Sequence, residues 1–335
     1  MPKVSIIIIN YNTCALTTNC LRSIARFAPR IPIEIIVVDN ASADNSLTSI
    51  PREFPDVRLA VNKSNLGFAA ANNRGIQMAS GHYILLLNSD SLLTEGALNR
   101  LLDFMETHQE VAAAAPCLLN EDGSFQRSFF QFPNAAKVFL HILEVGPNWS
   151  GFLRSIIFKF PWLRYHKIGA YLQDSKLTNP LPVPYVLFAC ILFRREVFSL
   201  VGLMDEKMFF YHEDCEFGFR MAKRGLQIWW VPTSRVIHLG GGTSCNAPEL
   251  ALKSYFSSLI YLFRKHKSLN HFWILKITIG LGFFIRSFLT LFGAYSVLEI
   301  PSTYKIDVKK KRHSFGNPLR RTKYYFNLAL FALKQ

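Results

Sequence analysis

No Cys-x-x-Cys pair occurs among the six cysteines Cys14, Cys20, Cys117, Cys190, Cys215 and Cys245. That spacing argues against a structural zinc site and against a disulfide framework, so the thiols are read as reduced and mostly buried. No Gly-x-Gly-x-x-Gly follows the first strand-like run, which removes the main support for dinucleotide binding. There is no internal repeat. No signal peptide precedes the first strand, Val4 to Ile9, so a cytoplasmic enzyme domain is expected. Acidic residues are scarce in one place only: residues 253–335 hold 15 Lys/Arg and 2 Asp/Glu, whereas residues 1–252 hold 23 and 21. Basicity belongs to the tail.

A basic tail suits nucleic acid or an anionic membrane surface. The apolar, aromatic stretch from Phe272 to Val297, followed by Lys309-Lys310-Lys311-Arg312, favours the membrane and argues against nucleic acid. In that stretch the longest uncharged run, Ser287 to Leu298, falls short of the roughly 20 apolar residues of a spanning helix. An interfacial helix or a re-entrant pair is expected, with a core helix over the enzyme domain as the alternative.

At 335 residues and 50% apolar content the chain buries a full core, enough for one enzyme-sized domain and an appendage. Its first 115 residues alternate in a β/α rhythm: strands 4–9, 33–38, 57–61 and 83–87, and helices near 13–27, 44–50, 68–79 and 94–108. This predicts an α/β fold with a mostly parallel, Rossmann-like sheet flanked by helices. The expected division is a catalytic domain over 1–245, carrying an aromatic and basic insertion at 130–180, and a helical, membrane-associating region over 246–335.

Three strands end in polar groups. Val4 to Ile9 leads into Asn10-Tyr11-Asn12, Ile33 to Val38 into Asp39-Asn40, and Tyr83 to Leu87 into Asn88-Ser89-Asp90. Ligands of such folds gather at the strands' carboxyl ends. Asp39 alone serves equally well as a turn former or as a ligand to a base or ribose. Asp90, with Asn88, supplies hard oxygens of the kind Mg²⁺ or Mn²⁺ prefers beside a diphosphate. Asn65-Leu66-Gly67-Phe68, running on to Asn72, opens a helix with small residues that permit close backbone or ligand approach. A second cluster, Asp205 to Arg220, sets Glu213, Asp214 and Glu216 among Phe and Tyr, where buried acids call for proton transfer or cation binding. His238 lies 18 residues beyond Arg220 and is structural unless context supplies a ligand role.

Taken in order, Ser5 to Asn12, Val37 to Ser42, Asn65 to Ala69, Leu87 to Asp90 and Phe210 to Asp214 resemble a family-2 inverting glycosyltransferase of the GT-A fold, in its rhamnosyltransferase-like branch. The resemblance covers residues 3 to about 245. It implies that Asn10, Tyr11, Asn12, Asp39, Asn40, Asn65, Gly67, Phe68, Asn72, Asn88, Ser89, Glu213 and Arg220 meet a nucleotide-diphospho-sugar. It further implies that Asp90 and His238 serve a divalent cation, Mg²⁺ or Mn²⁺, with Asn88 standing where the family's Asp-x-Asp motif has its first acid. Asp214 becomes the catalytic base, expected to titrate near the usual carboxylate value of about 4. A saccharide or lipid-linked saccharide acceptor for cell-surface polysaccharide is expected, and a lipid-linked acceptor at the inner membrane face would explain a catalytic domain joined to an aromatic, cationic tail. A non-catalytic, membrane-attached nucleotide-sugar-binding or assembly protein is the rival reading.

Overall fold

The computed structural model describes residues 3–27, 31–143, 177–240, 248–291 and 318–335. Most of the aromatic insertion, Cys245, the Lys309–Arg312 run and the end of the apolar stretch lie outside them. The chain divides into two compact units, Met1–Phe132 with Leu177–Ala247, and Pro133–Lys176 with Pro248–Gln335.

Strand runs such as Ser5-Ile6-Ile7-Ile8-Ile9 are apolar without alternation because both sheet faces are covered. Ile6 and Ile8 enter one core with Leu85, Leu87, Leu21 and Leu101. Ile7 enters the other with Ile36, Val38, Leu86, Ala71 and Phe217. Each fully buried side chain of this size contributes about 1.5–3 kcal/mol, and β-branched residues fit the pleat at little rotamer cost.

Strands β1 (Val4–Asn10), β2 (Ile33–Asp39), β3 (Arg58–Val61) and β4 (Tyr83–Asn88) pair in parallel in the order β3-β2-β1-β4. Helices α1 (Cys14–Phe27), α2 (Ser46–Glu53) and α3 (Gly67–Met78) alternate with them. The parallel order stops at β4. Strand β11 (Cys190–Arg194) runs antiparallel to β4 and to β6 (Val111–Leu119). The 12-residue β12 (Gln227–His238) lies parallel to β6 and antiparallel to β5 (Ser91–Leu93). The sheet is therefore mixed, and both halves bring strand ends to one side.

The second unit contains α5 (Ala135–Ile142), α8 (Pro248–His266), α9 (Leu269–Leu291) and α10 (Pro318–Lys334). Phe256, Phe283 and Tyr325 form its core, with Phe256 edge-on to Phe283 at 4.8 Å and Phe283 stacked on Tyr325 at 6.0 Å. Within the described residues the apolar stretch belongs to one helix, Leu269–Leu291. Leu269–Thr290 is long and apolar enough to cross a membrane by length and composition, because Lys276 and Arg286 interrupt the sequence run without interrupting the helix.

Candidate active site

Register fixes the rim. Asn10 lies opposite Asp39, and Ile9 opposite Asn88, so the polar ends of three strands stand side by side. Asn10 and Asp39 are fully buried. The Asn10 amide donates to Asp39 Oδ2 at 2.7 Å and to Ser42 Oγ at 2.9 Å. Thr13 and Thr17 donate to its carbonyl oxygen at 3.0 and 2.6 Å, and Ser42 N–H donates to Asp39 Oδ1 at 2.9 Å. Asn12 and Ala41 sit at φ 54° and 66°, a left-handed conformation that costs most non-glycine residues energy and often marks ligand-shaped loops. Asn12 there accepts from Ala43 N–H at 2.7 Å. Tyr11 beside it is half-buried.

Asn40 ties the next loop to this rim. Its Oδ1 accepts from Asn62 Nδ2 and Leu66 N–H, both at 3.0 Å, and its Nδ2 donates to Asn65 Oδ1 at 2.8 Å. Gly67 has φ 84°, and a Cβ there would lie 2.5 Å from the Phe209 carbonyl oxygen. Only glycine lets these two backbones meet, and Phe68 N–H donates to that same oxygen at 3.0 Å. Asn72 is buried and donates to Phe68 O within the helix at 2.9 Å, a scaffold role.

Asp90, Gln126 and His238 form the second cluster. Ser91 pairs with His238 across β5 and β12, and Leu239 N–H donates to Asp90 O at 2.9 Å. Gln126 Nε2 donates to Asn120 Oδ1 and to His238 O, each at 3.0 Å. Its Oε1 therefore faces His238 Nδ1, at 2.7 Å, and that nitrogen must donate. In the neutral ring, Nε2 then presents a lone pair to Asp90 Oδ1, 3.3 Å away. Two acceptors facing each other in a buried place are unfavourable unless a proton or a cation lies with them. Bonds of about 2.1 Å at right angles put neighbouring ligands of one octahedral cation about 3 Å apart. The pair thus fits a cation. Among the described residues no group of three or more His, Cys, Asp and Glu side chains forms a metal cage. Ser89, half-buried, has its Oγ 3.2 Å from Thr13 Oγ1, and Asn88 N–H donates to Ala189 O at 2.9 Å.

The third cluster opens α7 (Glu213–Lys223). Tyr211 and His212 are held at φ 69° and 65°, conformations that are costly for bulky residues and that turn the chain so that Glu213 and Asp214 occupy the first turn. Both carboxyls are buried. Desolvation raises the pKa of both, the Asp214 charge adds to the rise at Glu213, and the Cys215 N–H, 2.6 Å from Asp214 Oδ1, opposes it at Asp214. The pair therefore titrates above the usual carboxylate range, which corrects the expectation of an ordinary value for Asp214. Buried Glu216 pairs with Arg220 at 2.9 Å, and the same guanidinium caps the Val201 and Leu203 carbonyls at 2.8 and 2.9 Å. Arg220 is thus fully engaged inside the scaffold. Gly218 lets α7 lie against Tyr185, where a Cβ would come within 2.6 Å of the tyrosine's own. Tyr185 begins the segment that reaches Ala189, whose carbonyl accepts from Ser91 Oγ at 3.0 Å as well as from Asn88. Phe209 thus ties the segment before the acidic turn to the Asn65–Phe68 loop, and Ala189 ties the segment after Tyr185 to Asn88 and Ser91.

Three braces escaped the sequence reading. Gln126 lies 112 residues from His238 and signals nothing until β7 (Phe125–Gln126) folds back on β6. Thr13 and Thr17, four apart on one face of α1's start, and the Phe209 carbonyl carry no pattern of their own. Cys14, Cys20, Cys117 and Cys190 carry free thiols.

The chain is 28% identical over 247 residues to the N-acetylglucosaminyl-diphospho-decaprenol L-rhamnosyltransferase of Mycobacterium tuberculosis, covering 70% of this chain and 76% of that protein. It is 24% identical over 250 residues to the O-antigen biosynthesis protein RfbC of Myxococcus xanthus, covering 71% of this chain and 17% of the relative. A crystal structure of GalNAc-T7 with UDP, GalNAc and Mn²⁺ superposes with a TM-score of 0.51 at 16% identity, covering 81% of this chain and 56% of that one, a likeness of GT-A fold. The profile of Glycosyl transferase family 2 matches residues 5–201, and the chain belongs to that family.

Proposed function

We propose that this glycosyltransferase moves a rhamnose-like sugar from a nucleotide-diphosphate donor to a hydroxyl of a saccharide carried on a polyprenyl diphosphate, with inversion at the anomeric carbon. The observations that carry this reading are a strand-end rim rich in polar groups and a buried carboxyl pair of raised proton affinity, in a turn whose preceding residue Phe209 is tied by its carbonyl to Phe68 of the Asn65–Phe68 loop. The rhamnosyltransferase relative's name supports the sugar and the acceptor class.

In this reading Asp39, fixed by Asn10 and Ser42, accepts from the base or ribose, and the Asn12 and Asn65–Phe68 loops border the nucleotide. Asp90 and His238 would hold a divalent cation, Mg²⁺ or Mn²⁺; when bound it supplies positive charge against the departing diphosphate. Asp214 takes the proton of the acceptor hydroxyl as the oxygen attacks from the face opposite the leaving group. Burial improves it for this work, because a carboxylate titrating closer to neutrality is a stronger base than one near 4. Glu213 keeps the shared charge low by competing for the same proton. Base assistance is worth roughly 10²- to 10⁴-fold in rate, about 3–5 kcal/mol of barrier. The lipid-borne acceptor places the enzyme on the inner face of the plasma membrane as a peripheral protein.

Incubating the full chain with nucleotide-diphosphate-rhamnose and a polyprenyl-diphosphate N-acetylhexosamine tests this directly. A disaccharide of inverted anomeric configuration by NMR is expected. Donor left intact across a panel of nucleotide-sugars, or a retained configuration, overturns the reading.

A further inference from the structure

Helix α9 has its polarity inside out. From Trp273 to Phe288 every exposed side chain is apolar: Trp273, Ile274, Ile277, Leu281, Phe284 and Phe288. The buried side of the same helix holds Lys276, Arg286, Ser287 and Thr290. Lys276 Nζ lies 4.5 Å from the centre of the Trp273 ring, and Arg286 donates to Ile142 O at 2.7 Å with its guanidinium 5.2 Å from the Tyr325 ring. A helix designed for water shows the reverse arrangement, whereas helices in lipid turn their charges inward and their apolar residues outward.

Helix α10 extends this face. It runs antiparallel to α9, with Leu333 against Gly280, Phe326 6.5 Å from Phe284, and Ser287 Oγ donating to Thr322 O at 3.0 Å. Phe326, Leu330 and Leu333 are exposed beside the α9 row. Exposed cations mark both ends. Arg264, Lys265 and Lys267 stand at the α8–α9 turn, and Arg320 and Lys323 at the start of α10, beside the far end of α9. Residues 253–335 as a whole carry 15 cations against 2 acids.

We propose that the joined outer faces of α9 and α10 form a flat docking surface for an anionic lipid bilayer. Both helices lie in the membrane plane, with their apolar side chains among the acyl chains and the cations of both ends on headgroups of one leaflet. The length of α9 alone would admit a crossing, about 34 Å at 1.5 Å per residue. A crossing would carry one of the two cationic ends through the bilayer, whereas anionic headgroups attract both ends to the same surface. The inference specifies the surface behind the membrane location proposed above, and is independent of the transfer chemistry.

The test uses the full chain with vesicles of phosphatidylcholine alone or with phosphatidylglycerol. Co-sedimentation that is strong with the anionic vesicles and weakened by salt is expected. The combined variant Ile277→Ser, Leu281→Ser and Phe284→Ser changes only exposed positions and should keep the wild-type melting curve. It should lose roughly 1,000-fold in vesicle affinity, about tenfold for each of the three apolar side chains kept out of hydrocarbon. Vesicle binding unchanged in that variant overturns the proposal, as does a wild-type chain that ignores anionic vesicles and self-associates through this face. In native membranes, Ser268→Cys and Leu319→Cys should both react with an impermeant maleimide from one side. Labelling from opposite sides would establish a crossing and refute the flat arrangement. Transfer to a water-soluble acceptor in detergent, measured on the same variant, reports the chemistry separately.

Discussion

Asp214→Asn should separate activity from stability in opposite directions. The amide keeps the shape of the side chain and can still accept from the Cys215 N–H, now 2.6 Å from Oδ1. It cannot accept the acceptor's proton, so transfer should fall by about 10²- to 10⁴-fold, with donor binding nearly unchanged. Stability should rise. The folded-state pKa of Asp214 lies above its unfolded value because burial opposes the charge. Ionisation therefore costs folding free energy at every pH above the unfolded value near 4. One pKa unit corresponds to about 1.4 kcal/mol, and a gain of that order at pH 8, shrinking as pH falls towards 4, is the expected result of removing the charge. Urea denaturation at pH 5 and pH 8 reads the gain, and single-turnover kinetics with bound donor read the loss. The wild-type rate should fall on acidification with a midpoint above the ordinary carboxylate range. A variant that turns over at near wild-type rate removes Asp214 from the base role. A variant equally destabilised at both pH values removes the desolvation argument.

Gln126→Leu should free His238 from its fixed tautomer and weaken Mn²⁺ binding by about 10- to 100-fold, measured by electron paramagnetic resonance of the free ion; unchanged affinity would mean that Gln126 does not orient the ligand. Gly67→Ala forces a Cβ to within 2.5 Å of the Phe209 carbonyl at φ 84° and should cost about 2 kcal/mol or more, with nucleotide affinity falling as the loop separates; an unaltered melting point contradicts the close approach. Glu34 is pushed up by desolvation but held down more strongly by hydrogen bonds from Ser5, Ser80 and Arg58, to about 2. Its stabilisation is present above the unfolded value near 4.3 and is lost as pH falls through about 2. Glu34→Gln should therefore be destabilised at pH 6 and converge with the wild type in acid, and a constant difference across that range would refute the assignment.

The strand-end rim was legible because it rests on local pattern. Unbroken apolar runs that stop at Asn10, Asp39 and Asn88 report both the covered sheet and the edge where ligands bind, and parallel register does the rest. Glu213 and Asp214 were legible as acids set among aromatics, but their raised proton affinity was not. It arises from tertiary burial and from the left-handed turn at Tyr211 and His212, which no composition rule anticipates in residues so bulky. The antiparallel half of the sheet was hidden for a similar reason: β11 and β12 are apolar runs whose direction depends on partners far away in sequence. The partner of His238 was invisible because Gln126 sits on a two-residue strand. In the second unit the charges at Lys276 and Arg286 looked like breaks in an apolar segment. They are its buried side, and reading them as interruptions understated the length of one continuous helix.

The most direct test of the central claim is anomalous diffraction from crystals grown with Mn²⁺ and a nucleoside diphosphate. The account predicts one manganese peak within coordination distance of both Asp90 Oδ1 and His238 Nε2, completed by diphosphate oxygens, with the nucleoside against Asp39. A peak away from that pair, or a nucleotide bound elsewhere than the rim of Asn10, Asp39 and Asn88, would contradict it.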